Sequence, residues 1–276
     1  MMNKKRIETN HLKRFWIFFA YIVIWISALS CYRDIIDLDL ESVDPQLVIE
    51  GNITDQVGPY QIRISKTGGY NQLNNFPRIS GAEVFIHDNL GNSEMLGEAE
   101  TGLYLSQSLH GRIGRTYSLQ VQAEGKEYRA NSKMPEALTL DFLTLQNHGQ
   151  EFILSCGFTD REGMVDFCRL KIYKNGELVE KYLYHGEYTD GEQIILDEFG
   201  VTFSRNDNIM VELLTITEET YEYLAMLNPD EDGGGYDSET PDFFPVSAAN
   251  PKTNLSNNAL GYFSAHTVRR YYKIVQ

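Results

Sequence analysis

Most apolar residues of this chain alternate with polar ones, which is the pattern of half-buried β-strands. Around Tyr117, Leu119 and Val121, for example, one face of the segment is apolar and the other is polar. Turn-forming Gly, Pro and Asn residues separate these runs. Seven strands are predicted before residue 135: Gln46 to Ile53, Tyr60 to Lys66, Ala82 to Asp88, Ser93 to Ala99, Leu103 to Ser108, Thr116 to Gln122 and Lys126 to Ser132. Seven short strands at this spacing predict a β-sandwich over residues 46–135, of the immunoglobulin-like or transthyretin-like kind.

A second set of strands begins after Met134-Pro135, because proline cannot continue a central strand. Its predicted members are Thr139 to Gln146, Phe152 to Thr159, Phe167 to Lys174, Leu178 to His185, Gln193 to Phe199 and Ile209 to Ile216, with closing strands at Leu260 to Thr267 and Arg270 to Val275. Thr217 is a good N-cap, and Asn228-Pro229 is a helix stop, so one short helix is expected at 218–227. The sequence therefore predicts a mainly all-β protein with two consecutive sandwiches, the second covering 136–276.

Residues 1–30 have the order of a bacterial export signal. Basic residues come first, an apolar run extends from Phe15 to Ile26, and small residues precede Cys31. This order predicts a lipoprotein signal peptide, with Cys31 as the lipidated N-terminus of the mature chain. The alternative is a signal-anchor helix that stays in the inner membrane. It is less favoured because a membrane-spanning helix needs about 20 apolar residues, more than this run supplies.

The stretch 31–45 is polar and acidic, and is predicted to be a tether. The whole chain has 24 Lys+Arg against 39 Asp+Glu and a net charge of -15. Removal of the basic signal segment would make the mature chain more acidic still. Such a surface repels nucleic acid, so nucleic-acid partners are excluded, and the expected membrane contact is the lipid on Cys31.

Candidate chemistry is sparse. Cys156 and Cys168 would lie opposite each other in a symmetric hairpin centred on residue 162, where they could form a disulfide, and the alternative is two buried core thiols. The five histidines outside the signal are scattered singly, so no metal site is predicted. An acidic stretch at 230–237 could ligate calcium, but it lacks EF-hand spacing, and a solvated loop is favoured. No catalytic motif is present, and neither a cofactor nor an enzymatic activity is predicted.

The long segment 229–258 has no periodicity of its own. Loops held by a rigid sandwich often carry binding groups, and this loop contains Tyr236, Phe243 and Phe244 among carboxylates. The sequence predicts a partner-binding surface here, with packing of Phe243 and Phe244 on the sandwich as the alternative.

Taken in order, several segments resemble the DUF4249 lipoproteins of Bacteroidetes. The resemblance rests on Leu47 to Asp55, Gly58-Pro59-Tyr60, Ser80 to Val84, Gly111 to Tyr117, Thr253-Asn254 and Gly261-Tyr262-Phe263. It covers nearly the whole mature chain. Cys168 departs from the family pattern, in which an aromatic pair is more usual at 167–168. The family has no assigned activity, and its members are often encoded beside TonB-dependent outer-membrane receptors.

The resemblance implies a non-catalytic outer-membrane lipoprotein, a binding or accessory component that works with a TonB-dependent receptor in nutrient uptake or surface assembly. Two alternatives remain at this stage: a structural surface protein and an envelope hydrolase with a cryptic site. The sequence leaves open whether the domain faces the periplasm or the outside.

Overall fold

The computed structural model describes residues 44–68, 76–197, 199–227 and 250–276, and residues 43–276 form one compact unit. The strands are β1 (Leu47–Thr54), β2 (Gln61–Lys66), β3 (Glu83–Asp88), β4 (Ser93–Met95), β5 (Gly97–Glu100), β6 (Leu103–Leu105), β7 (Thr116–Ala123), β8 (Lys126–Lys133), β9 (Phe142–His148), β10 (Glu151–Thr159), β11 (Phe167–Lys174), β12 (Glu177–His185), β13 (Gln193–Leu196), β14 (Thr202–Phe203), β15 (Asn208–Thr215) and β16 (Leu260–Ile274). One helix, α1 (Glu218–Leu227), follows β15. The predicted all-β class and the predicted helix are both confirmed.

Three sheets build the fold. The largest has eight strands in the order β12-β11-β15-β16-β1-β2-β6-β5, and the two smaller sheets are β4-β3-β7-β8 and β13-β10-β14 with β9 on the other side of β10. Each small sheet packs on one half of the large sheet. One core lies between β1, β2 and the β3-β7-β8 sheet, and a second lies between β10, β11 and β15. The result is two sandwiches that share one sheet.

A single strand, β16, joins the two sandwiches. Its first half runs parallel to β1, from Leu260 opposite Val48 to His266 opposite Thr54. Its second half runs antiparallel to β15, from Thr267 opposite Thr215 to Ile274 opposite Asn208. Phe263 and Ala265 accordingly lie in the first core, whereas Val275, just after the strand, lies in the second.

This arrangement corrects the predicted division of the chain. The expectation that 136–276 forms the second sandwich alone is wrong for residues 255–266, because Leu255, Ala259 and the first half of β16 belong to the first core. The two predicted closing strands are one continuous strand, and the single strand predicted over 93–99 is two strands in different sheets. Residues 1–43 and 228–249 lie outside the described residues, so the predicted signal peptide and most of the tether and the long loop do too.

Polar side chains replace a neighbouring strand along the first half of β16. Asn254 accepts a hydrogen bond from Phe263 N (3.0 Å) and donates one to Phe263 O (2.7 Å). Thr253 donates to Gly261 O, and Ser132 accepts from Ala265 N. These bonds satisfy the backbone groups that point away from β1, since a buried unpaired backbone group is costly.

Helix α1 packs on the outer face of the eight-stranded sheet. Tyr223 and Leu224 form a small third core with Leu183, Leu214 and Val268. Thr217 caps the helix as predicted, accepting a bond from Thr220 N (3.4 Å). Within the described residues, no helix is both long and apolar enough to cross a membrane.

Candidate functional site

The second sandwich is open along one side, where both of its sheets end in edge strands. The described strands give β9 only one neighbour, β10, and give the second half of β16 only β15. Between the two edges lies a groove of about 920 Å³. It is lined by Leu143, Leu145, Phe152, Arg270, Tyr271, Tyr272, Lys273, Ile274 and Gln276. Because five consecutive residues of β16 line it, the wall of the groove is the edge of the strand and not one of its faces.

The direction of the hydrogen bonds along β16 shows which backbone groups this edge presents. Val275 bonds through both N and O to the turn before β15 (Asp207 O at 3.0 Å, Asn206 N at 2.8 Å). Bonding direction alternates along an antiparallel strand, so the N–H and C=O groups of Arg270, Tyr272 and Ile274 point the opposite way.

Two residues before Arg270, at Val268, side chains cap this edge. Val268 N donates to Asp55 Oδ1 (2.9 Å), and Val268 O accepts from the Gln56 amide (3.1 Å). No described residue bonds the corresponding backbone groups at 270, 272 and 274. Tyr272 is 72% exposed and Ile274 is 61% exposed. An uncapped edge with exposed apolar side chains is the arrangement that accepts an additional strand.

A second site is a cavity of about 200 Å³ on the outer face of the eight-stranded sheet, beneath α1. Its lining combines polar and cationic residues with apolar ones. The polar and cationic residues are Asn52, Arg169, Lys171, Thr220, Tyr262, Ser264 and His266, and the apolar residues are Leu214, Ile216 and Leu224. Strand alternation places the polar set, because Tyr262, Ser264 and His266 occupy every second position of β16 and face outward.

His266 in this cavity is neutral. Burial lowers the pKa of His266 to about 4, and the charge of Lys171 acts in the same direction, while Asp55 opposes it and Arg169 adds a smaller lowering effect. Ser264 Oγ lies 3.2 Å from His266 Nδ1. An effective general base has a pKa near the working pH, so this serine–histidine pair is poorly suited to hydrolysis. The geometry is better suited to binding.

A third cluster contains two buried carboxyl groups, Asp160 and Asp166, between β10 and β11. Arg161 Nε holds Asp166 at 2.9 and 3.0 Å, while Asp160 accepts a bond from Thr189 (3.4 Å). Burial and the charge of Asp166 raise the pKa of Asp160 to about 6. Paired carboxyls with separated pKa values are typical of acid–base catalysts. Each of these two, however, is only 1% exposed, so a substrate would have no access and the pair is structural.

Substitution of Asp160 is expected to change the pH dependence of stability. The folded-state pKa is raised, so the contribution of Asp160 to stability is full below its unfolded pKa of about 4 and is lost as the pH rises through about 6. Asp160→Asn keeps the shape without the charge and should stabilise the fold at pH 8 by about 1 to 3 kcal/mol. This gain should shrink towards pH 4.

Urea unfolding at pH 8 and at pH 4 measures the gain in stability. Glu162→Gln, an exposed change in the same loop, is the control, and equal gains at both pH values would contradict the assignment.

Of the site residues predicted from the sequence, the structure describes Cys156 and Cys168 but not the others. Cys156 and Cys168 are free, buried thiols. The predicted hairpin between them is wrong, because β10 and β11 lie in different sheets on opposite sides of the second core. Cys31, Tyr236, Phe243 and Phe244 lie outside the described residues, as does the acidic stretch considered for calcium. Elsewhere, in the residues that the structure does describe, no group of three or more His, Cys, Asp or Glu is placed to hold a metal ion.

Neither the groove nor the cavity was anticipated from the sequence. Residues 270–275 were predicted as a separate strand, so the change of neighbours within β16 was not seen. The available signal is the absence of Gly, Pro, Asn and Asp between Tyr262 and Ile274, which leaves no strong turn signal to divide the strand.

One comparison with known proteins gives a family. A family model described as a domain of unknown function (DUF4249) matches residues 33–271. No curated protein matches the chain. Among solved structures, a two-domain fibronectin type-III segment from chicken tenascin matches with 12% identity over 62% of this chain and 91% of that chain. Its TM-score is 0.20, so the fold assignment rests on the sheets themselves.

Proposed function

Because the chain belongs to the DUF4249 family, a family defined without a known activity, we propose a function from the described surfaces together with the N-terminal sequence. The protein is a non-catalytic lipoprotein of the outer membrane, anchored through Cys31. It binds a protein partner, a TonB-dependent receptor, and acts as an accessory component in nutrient uptake or surface assembly.

The observation that carries this proposal is the uncapped edge of β16. Side chains cap Gly261, Phe263 and Ala265 on the edge of β16 that points away from β1, and Val268 on the edge that points away from β15. On this second edge, the backbone groups of residues 270, 272 and 274 have no such caps among the described residues. Proteins usually protect a sheet edge, because an open edge recruits other strands. An open stretch of β16 next to an apolar groove supports the addition of an extended segment from a partner as a further strand.

The anchor is compatible with such a contact. β1 runs parallel to β16 and begins beside Leu260, at the opposite end of β16 from Tyr272 and Ile274. A tether from Cys31 to Pro45 can span at most about 50 Å when fully extended. The open edge can therefore reach a partner embedded in the same membrane without strain on the anchor.

The test is affinity purification from outer membranes with identification of the co-purifying proteins. The wild-type chain should capture a TonB-dependent receptor. Cys31→Ala should remain unprocessed, leave the outer-membrane fraction and capture no receptor, because several acyl chains are needed for stable anchoring. If Cys31→Ala fractionates with the outer membrane at the mature mass, the lipidation proposal is wrong. If the wild-type chain captures no receptor, the partner proposal is wrong.

A further inference from the structure

We propose that the cavity beneath α1 binds a small organic carboxylate with an apolar body. The cavity is separate from the open edge of β16, so this site does not depend on a protein partner. Its lining offers two full positive charges, from Arg169 and Lys171, and contains no carboxylate among its described residues. Such a lining is unusual in a chain whose net charge is -15.

The sheet brings the two cations together. Arg169 and Lys171 lie two residues apart on β11, so both side chains leave the same outward face. Both side chains also have partners within the chain. Their positive charge therefore favours an anion, because no described carboxylate lines the cavity. The nearest acidic neighbour in the ladder, Glu212 opposite Lys171, is engaged by Arg270 Nε (2.7 Å) and the Tyr173 hydroxyl (3.1 Å).

Neutral hydrogen-bonding groups complete the polar side. Ser264 is fully buried and supplies a hydroxyl, while the Asn52 amide and the Thr220 hydroxyl lie on the same lining. Burial is the main cause of the lowered pKa of His266, and the charge of Lys171 adds to it. Arg169 offers the planar fork of donors that matches a carboxylate, and Lys171 adds a point charge.

The apolar wall decides between an organic anion and a bare inorganic one. Leu214, Ile216 and Leu224 line the same cavity as the cations, and Leu214 lies directly beside Arg169 in the ladder between β11 and β15. Phosphate would leave these side chains against water, whereas a short branched hydrocarbon would cover them. The volume of about 200 Å³ equals about six or seven waters of roughly 30 Å³ each, which suits an acid of a few carbons.

The experiment titrates the purified lipidated protein in detergent with 3-methylbutanoate, and follows the methyl NMR signals of Leu214, Ile216 and Leu224. These signals should shift saturably. The neutral analogue 3-methylbutanol and inorganic phosphate should each bind at least about tenfold more weakly, which corresponds to about 1.4 kcal/mol. Equal binding of the alcohol, tighter binding of phosphate, or no saturable shift at millimolar 3-methylbutanoate would each overturn the proposal.

Variants test the named cations. Arg169→Gln and Lys171→Gln should each weaken 3-methylbutanoate binding at least about tenfold, while Arg112→Gln, an exposed change on the first sandwich, should leave it unchanged. Far-ultraviolet circular dichroism checks folding, and if Arg169→Gln does not fold, Lys171→Gln decides the result. A folded Lys171→Gln or Arg169→Gln that binds as the wild type does would contradict the site.

Discussion

Gly261→Ala is expected to destabilise the whole folded unit by more than about 3 kcal/mol, since it adds backbone strain to a steric clash. Gly261 lies in β16 where the strand runs beside β1, and its φ of +97° is a conformation that a side chain rarely adopts. A Cβ atom there would lie 2.0 Å from Ile49 O. Because Ile49 O is a backbone atom of β1, it cannot move away without breaking the parallel ladder between β1 and β16.

The effect should extend to both sandwiches, because β16 contributes to both cores. Urea unfolding followed by circular dichroism gives the loss, and hydrogen exchange should show lost protection in β7 and β10 alike. Gly91→Ala is the matched control: its φ is +89° with nothing within 4 Å of an added Cβ, so only the strain of about 1 to 2 kcal/mol remains. Loss of protection confined to the first sandwich would show that β16 does not couple the two.

Placing a lysine on the open edge should abolish partner capture while leaving the fold intact. Tyr272→Lys and Ile274→Lys each place a charge on the open edge strand, next to the position that an added strand would occupy, which is how natural edge strands are protected. Both side chains are largely exposed, so we expect stability to change by no more than about 0.5 kcal/mol. Recovery of the receptor in the outer-membrane pull-down should fall at least about tenfold, a change of about 1.4 kcal/mol.

Tyr188→Lys is the control for this pair. Tyr188 is an equally exposed aromatic residue, at 77%, but it lies in the turn after β12, away from the groove. The Tyr188→Lys variant should capture the receptor as the wild type does. Full recovery with both edge variants, or a large fall in their melting temperatures, would mean that the edge is not the binding surface.

Local sequence patterns predicted the elements well, because each depends on neighbours in the chain. The helix at 218–227 follows from the Thr217 cap and the Asn228-Pro229 stop, and the turn at Asn175-Gly176 has positive φ at both residues, as expected. Alternation also predicted most strands within a few residues.

Neighbours in space could not be predicted in the same way. Alternation shows which face of a strand is buried but does not show which strand lies beside it. Cys156 and Cys168 illustrate the point: both were placed correctly on strands, but β10 pairs with β9, β13 and β14 and not with β11. The hairpin interpretation failed for that reason.

The candidate sites were missed for a related reason. The cavity joins residues from β1, β11, β15, β16 and α1, which are far apart in sequence. Asn254 and Asp55 bond the backbone of β16 because this strand changes its neighbour along its length. That change is not visible in the sequence, so neither residue could be identified as a cap. The resemblance segments Leu47 to Asp55 and Thr253-Asn254 contain these two residues but do not show what they bond.

The most direct test of the central claim, that the open edge of β16 binds a partner in the outer membrane, is site-specific photocrosslinking in intact cells. A photoreactive phenylalanine analogue at position 272 should crosslink to a TonB-dependent receptor, whereas the same analogue at position 188 should not. A crosslink only to a second copy of this chain at position 272, or a receptor crosslink at 188 with none at 272, would contradict the account.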